Sequence, residues 1–522
     1  MAYEMIVPTL DPTYDVVVIG AGNGGLTAGA QLAVKGMKVL ILEQHNLPGG
    51  FASSFVRGRF EFEPSLHELC DVGPPENKGS VRELLEDDLG VNVEFVSVPE
   101  AFRLILTDEG INVRMPFGID EYIDAIEREV PESRESIRNF MNLCEETLHA
   151  LGYLGSTKGK PDKKVLMKQF SNFLKTAPYS ADAVASAVGV SEDAKRFLFP
   201  YWCYLGLPTT RVNFTIMGAM LHKYLSTGAY IPRYRSHELT TALDARIREC
   251  GGQIEYNTRV EKILVEGGRV IGVETSCGDT IATRHVVANI SPTTVYNMMI
   301  HPKVETPEMS YKYVNARIHG LSSFVVYLGL DASPDELGLD DYGYFIMPHM
   351  NTEKLYESFS RLEPPITNAA ICLNRAIPDC SPPGTTILSM TTLYQPEVWE
   401  DVKPEDYFIL KNKIADGFID MFETATNTNI REHIEEIEVA TPETFARYTR
   451  TFNGIVYGYE PESWDSILPR MMSMKDDRFI EGLEFSGGFA SRCHGYSSAL
   501  MSGQTAALLT IRDMGRHTEV KS

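Results

Sequence analysis

Positive charge is in short supply in this chain. Over 522 residues, 48 Lys and Arg face 71 Asp and Glu, a net charge of −23. Nucleic-acid binding draws on clustered Lys and Arg to neutralise phosphates, so a nucleic-acid partner is excluded. The eight cysteines show no CxxC pair and no framework spacing. Neither a metal centre nor a disulfide scaffold is expected; the thiols read as reduced and mostly buried, as in a cytoplasmic protein. No apolar run approaches the ~18 residues that a membrane span needs. The opening stretch, MAYEMIVPTLDPTYD, has acids where a signal peptide has lysines, and it lacks an apolar core. No internal repeat or low-complexity segment stands out.

What is present is concentrated in Asp15–Gly50, DVVVIGAGNGGLTAGAQLAVKGMKVLILEQHNLPGG. Asp15–Ile19 is a β-branched run that predicts a buried strand. Gly20, Gly22 and Gly25 follow at GxGxxG spacing and open a small-residue helix that runs to about Gly36. A second strand, Met37–Leu42, ends at Glu43. Each part has a task in holding a dinucleotide. Gly20 makes the tight turn, Gly22 lets the backbone approach a pyrophosphate, and Gly25 lets helix and strand pack closely. The helix N-terminus points free N–H groups at the anion. Glu43 stands where an acid accepts from ribose hydroxyls, with Gln44 beside it.

Further along, Ile119 to about Gly189 is helix-rich, broken at Pro131 and near Gly159–Pro161. A helix over Ala242–Glu249, a strand over Ile254–Asn257, a hairpin turning at Gly267-Gly268 and the strand HVVAN restore an α/β pattern. Alternating strands and helices fill about Met298 to Pro469. Gly482–Asp513 reads as strand, glycine-rich turn and closing helix. The expected architecture is α/β: a Rossmann-like nucleotide domain assembled from 1–115, 230–297 and 470–522. A sheet-plus-helices substrate domain of 116–229 and 298–469 is inserted in it.

Three stretches carry a resemblance: GAGNGGLTAGAQLAVKGMKVLILEQHNLPGG with FASSF, IPRYRSHELTTALDARIRECGGQIEYNTRVEKILVEGGRVIGVET, and LEFSGGFASRCHGYSSALMSG. Together they resemble the phytoene desaturase, carotenoid isomerase and retinol saturase group of FAD proteins, with motifs in the same order along nearly the whole chain. The resemblance implies an amine-oxidase-like fold, one FAD per chain and an apolar tunnel leading to the flavin. It implies that Gly49, Gly50 and Ser53 face the pyrophosphate and that Val260 meets the adenine through its backbone. Gly487 and Gly488 would form the C-terminal turn. Gly495 and Tyr496 would start the final helix, whose dipole favours negative charge on reduced flavin. Only one GxGxxG unit is present, so no dedicated NADPH domain is expected.

Two departures from the family pattern stand out. Arg492-Cys493-His494 replaces a Pro-Gly-Gly stretch, and Pro232 is followed by Arg233, Tyr234 and Arg235, then Ser236-His237, where relatives have glycines. On one reading these cations contact FAD or simply pack. On the other, Arg235, Arg492 and His494 make the substrate end suit a carboxylate-bearing lipid or polyene. His67, His494 and Tyr496 are candidates for handling a proton, with a structural role for His67 as the competing reading. Tyr201, Trp202 and Tyr204 lie in an aromatic stripe that either packs in the core or lines the substrate cavity.

Lys158–Lys175, KGKPDKKVLMKQFSNFLK, is a local island of +5. Leu166, Phe170, Phe173 and Leu174 fall on one helical face. The segment is either a surface helix with solvated lysines or a basic amphipathic helix that allows peripheral membrane contact. The function expected is FAD-dependent oxidation or reduction of carbon–carbon double bonds in a long apolar substrate. Redox-neutral double-bond isomerisation is the alternative, ahead of a lipid escort or an amine oxidase. The electron donor or acceptor stays open.

Overall fold

A computed structural model describes residues 13–157, 161–473 and 478–515. Two sheets dominate. The first is a five-stranded parallel sheet ordered Leu483–Phe485, Val286–Ala288, Val16–Ile19, Val39–Leu42, Gln253–Glu255. Its central strand is VVVI, fully buried, with Val18 opposite both Ile41 and Val287. A strand covered on both faces has no polar side to show, which is why this run is continuous rather than alternating. The helix Asn23–Val34 follows directly and packs against the helices Arg235–Glu249 and Tyr496–Asp513. Sequence beginning, middle and end therefore meet in one layer.

The second sheet has seven strands, ordered Ile434–Ala440, Ser322–Leu330, Thr386–Tyr394, Asn368–Cys372, Gly343–Met347, Phe102–Leu106, Ile111–Met115. All its pairs are antiparallel except Gly343–Met347 with Phe102–Leu106. The last two strands end at or before residue 115, the boundary expected from the sequence, yet pair into this second sheet. Likewise Ile300–His301 pairs with Val260–Glu266, which carries the nucleotide side a few residues past 297.

The basic segment departs from the single helix that its spacing predicts. It forms two short helices, Lys163–Gln169 and Ser171–Thr176, separated at Phe170. The break has a local cause. The Glu146 carboxylate accepts from the Asn172 and Phe173 N–H groups and caps a new helix there, while the Phe170 ring stacks on Tyr153. Phe173 is buried and Leu174 exposed, so the apolar face is split between core and surface. Lys158 and Lys160 lie outside the described residues. No helix among the described residues is long and apolar enough to cross a membrane. All eight cysteines are free thiols.

Candidate functional site

The nucleotide cradle is built from backbone. A Cβ on Gly25 would lie 2.0 Å from the Gly20 carbonyl oxygen, and one on Gly24 would lie 2.5 Å from the Gly487 nitrogen. Gly22 is bridged to Gly49, and Gly50 approaches the Gly22 Cα. Gly49 has φ +120, which only glycine adopts without strain. Ser53 Oγ donates to the Pro48 carbonyl at 2.8 Å and fixes that turn. Glu43 sits at the end of its strand, buried, and accepts from the Ala21 N–H at 2.6 Å and the His45 N–H at 2.8 Å. Burial pushes its carboxyl up, and the two backbone donors oppose that. Thr258 N–H donates to the Glu43 carbonyl, which brings the start of the Val260 strand to the same edge, beside half-buried Gln44.

One residue that the motif did not reveal completes this cradle. Asn289 ends the strand HVVAN, and its amide stands between the first glycines and the C-terminal turn. A Cβ on Gly22 would lie 2.7 Å from Asn289 Nδ2, and one on Gly487 would lie 2.4 Å from Asn289 Oδ1. The asparagine in HVVAN was the available signal, since it occupies the carboxyl end of a parallel strand, where α/β sheets bind ligands.

The closing helix begins at Gly495, with Tyr496 in its first turn. Tyr496 Oη donates to the Phe51 carbonyl at 3.0 Å and lies 3.2 Å from both Ser236 Oγ and Ser65 Oγ. It thereby joins three loops from distant parts of the chain. Gly488 packs against His494. His494 Nε2 donates to the Tyr204 carbonyl at 3.0 Å, and the ring stacks on Tyr457 at 4.6 Å. That bond puts the ring proton on Nε2 and leaves Nδ1 buried, with no hydrogen bond among the described residues. His67 Nε2 is 3.2 Å from Thr391 Oγ1, and its ring meets Tyr204 edge-on at 5.8 Å. Burial pushes both imidazoles down to about 4.

His67, His494, Tyr204, Tyr201 and Tyr496 are therefore brought together, along with Glu63, Glu68 and Tyr457, which sequence reasoning passed over. Tyr201 and Tyr204 share a face of a short 3₁₀ turn, as i and i+3 must, with ring centroids 5.3 Å apart. Trp202 points elsewhere and stacks on Phe359 at 6.1 Å, 1% exposed.

Arg235 follows the packing reading rather than the carboxylate one. Here Nε donates to the Glu61 carbonyl at 2.8 Å, a second nitrogen donates to the Cys380 carbonyl, and the Glu61 carboxylate lies 3.4 Å away. Arg233 pairs with Asp379, and Tyr234 is exposed. Arg492 differs: its Nε reaches Thr505 Oγ1 at 3.4 Å, and burial pushes its pKa down despite nearby Asp71.

The fold and this cradle define a dinucleotide-binding flavoprotein: three close glycine approaches, an acid at the strand end and a second helix N-terminus opposite. Residues 24–507 match the model of the flavin-containing amine oxidoreductase family, and the chain belongs to that family. Its cofactor is FAD, and the closely approached backbone at Gly20, Gly22, Gly49 and Gly487, with the Asn289 amide among them, fits that group. All-trans-retinol 13,14-reductase of Danio rerio is 24% identical over 473 residues, covering 85% of this chain and 77% of the relative. Chloroplastic prolycopene isomerase of Daucus carota is 24% identical over 518 residues, covering 96% and 80%. Among solved structures, putrescine oxidase bound to putrescine has a TM-score of 0.64 at 12% identity, covering 98% of this chain and 100% of that one. An oxidoreductase from Methanosarcina mazei has a TM-score of 0.58 at 16% identity, covering 95% and 99%.

Proposed function

We propose that this flavoprotein oxidises or reduces carbon–carbon double bonds of a long apolar polyene or lipid. The observation that carries this reading is the layer beside the closing helix. It is built from Tyr201, Tyr204, Tyr224, Phe345 and Tyr457, with the neutral His67 and His494 rings packed against it. Such a surface suits an extended apolar chain. The reductase and isomerase relatives, whose names specify retinol and prolycopene, support it. Bound FAD would supply hydride transfer at the flavin. Gly20, Gly22, Gly25, Gly49, Gly50 and Ser53 would hold its pyrophosphate, Glu43 its ribose and Val260 its adenine. Gly487, Gly488, Gly495 and Tyr496 would face the remainder, and Tyr201 and Tyr204 the substrate.

Redox-neutral isomerisation is the second reading, favoured by the isomerase relative. Anaerobic incubation of reduced and of oxidised enzyme with a panel of polyenes and unsaturated fatty acids separates the two. A product two mass units heavier or lighter, with matching flavin reoxidation or reduction, supports redox chemistry; an unchanged mass with altered geometry supports isomerisation. No change in any substrate would refute both.

A cytoplasmic location with peripheral membrane contact belongs to the same proposal. Lys163, Lys164, Lys168 and Lys175 surround Met167, 65% exposed, and Leu174, 43% exposed. Replacing Lys163, Lys164 and Lys168 together by Gln should weaken sedimentation with anionic vesicles by about 1 kcal/mol per lysine. Wild-type protein that stays in the supernatant would contradict the contact.

A further inference from the structure

The segment Glu63–Cys70 crosses the start of the closing helix and is pinned to it twice. Ser65 Oγ lies 3.2 Å from Tyr496 Oη, and Ser497 Oγ donates to the Cys70 carbonyl at 2.9 Å. Two buried acids on this segment are held differently. Glu63 accepts from the Ser236 N–H at 2.8 Å, the Ser236 hydroxyl at 2.7 Å and the Leu66 N–H at 3.2 Å, a donor set that suits a carboxylate. Glu68, 6% exposed, has one side-chain donor among the described residues, the Tyr204 hydroxyl at 2.7 Å.

The groups that face Glu68 are Tyr201, Cys203 and Tyr204 from the 3₁₀ turn, Tyr224 from the helix Phe214–Thr227, and Tyr342. On its own segment, His67 adjoins it in sequence. Among the described residues no cation pairs with Glu68; Lys223, on the same helix as Tyr224, pairs instead with Asp71. Burial without a counter-ion pushes the Glu68 carboxyl up to about 8. The two neutral imidazoles beside it have no acidic proton to give at pH 7. Tyr204, in the same dry layer, is pushed well above its ordinary value. A phenol there releases its proton only if another arrives at the same time.

We propose that Glu68 and Tyr204 form a proton relay for the double-bond chemistry, Tyr204 touching the substrate carbon and Glu68 standing behind it as the positioning residue that resupplies the proton. The proposal rests on the polyene reading above. A protonated Glu68 donates along the same 2.7 Å line, which turns the Tyr204 O–H outward. In the saturating direction the Tyr204 O–H bond breaks as a substrate C–H bond forms. The Glu68 O–H bond breaks as the Tyr204 O–H is remade. Bound FAD in its reduced form would supply the hydride, with its electron pair, for the other substrate carbon. The Glu68 carboxylate then regains a proton from water.

Infrared difference spectra of purified wild type against Glu68→Gln read the acid without substrate or turnover. The expected result is a protonated-carboxyl band at pH 7 that fades as pH rises past about 8 and is missing from the variant. With reduced enzyme and a polyene, Glu68→Gln and Tyr204→Phe should each lower kcat at least about tenfold, with little change in KM and full flavin content. Glu68→Gln should also abolish the fall of kcat above about pH 8. Both replacements keep shape, and full flavin content shows that they fold. No band lost in the variant, or wild-type kcat in either variant, overturns the relay. A titrating band in a wild type that turns over no polyene overturns the function reading and the relay with it. An absent band in an active wild type overturns the relay alone.

Discussion

The nucleotide cradle and the aromatic layer beside it solve opposite problems within one site. The cradle is made of backbone: its contacts are carbonyls, N–H groups and the space left by missing Cβ atoms. Close approach of backbone to backbone sets that region, and a single methyl at Gly25 is decisive. The layer is made of side chains: phenols, two neutral imidazoles and a buried acid, arranged so that few charges survive. There a change of one atom alters chemistry while the shape persists. On the proposed function, binding is carried by geometry on one side of the site, and reactivity by protonation state on the other.

Gly25→Ala breaks the first region most severely. The new Cβ would sit 2.0 Å from the Gly20 carbonyl, so helix and strand must separate. Loss of soluble, flavin-loaded protein on purification is the expected outcome; a yellow variant at wild-type yield would show that the packing tolerates a methyl.

Glu68→Gln sharpens the second region through stability. The folded-state pKa of Glu68, about 8, is raised above its ordinary 4.5. Its contribution is therefore fully present below about 4.5 and is lost as pH rises through about 8. Relative to wild type, Glu68→Gln should gain stability progressively across that window, on the order of a few kcal/mol at the alkaline end. Denaturant unfolding at pH 5 and pH 8.5 checks this; an equal difference at both would mean that Glu68 is not a buried acid.

The smallest effect is expected at the border between the regions. Arg492→Gln should leave flavin content unchanged and raise KM for a carboxylate substrate about tenfold, without changing KM for its methyl ester. Equal KM shifts for acid and ester, or loss of flavin, would remove the arginine from substrate recognition.

The two regions were also unequally legible from sequence. The cradle could be read because its determinants are local: VVVI, three glycines, a helix and Glu43 lie within one βαβ unit. Only Asn289 escaped, since its meeting with Gly22 and Gly487 depends on the parallel pairing of three distant strands. The aromatic layer was read in part. Tyr204, His67 and His494 were singled out, but Glu68 gains its character from a phenol 136 positions away and from the absence of a cation. Arg235 was left between two readings for the same reason. Its partners, Glu61 and Cys380, come from loops that no spacing rule connects. The break at Phe170 followed from a cap supplied by the Glu146 carboxylate, and the place of Phe102–Met115 in the second sheet from strand pairing with Gly343–Met347.

Flavin content per polypeptide, measured side by side for wild type, Gly22→Val and Tyr204→Phe, tests this division most directly. About one FAD is expected in wild type and in Tyr204→Phe, and none in Gly22→Val, whose side chain enters the pyrophosphate path. A fully loaded Gly22→Val, or a colourless Tyr204→Phe, would contradict it.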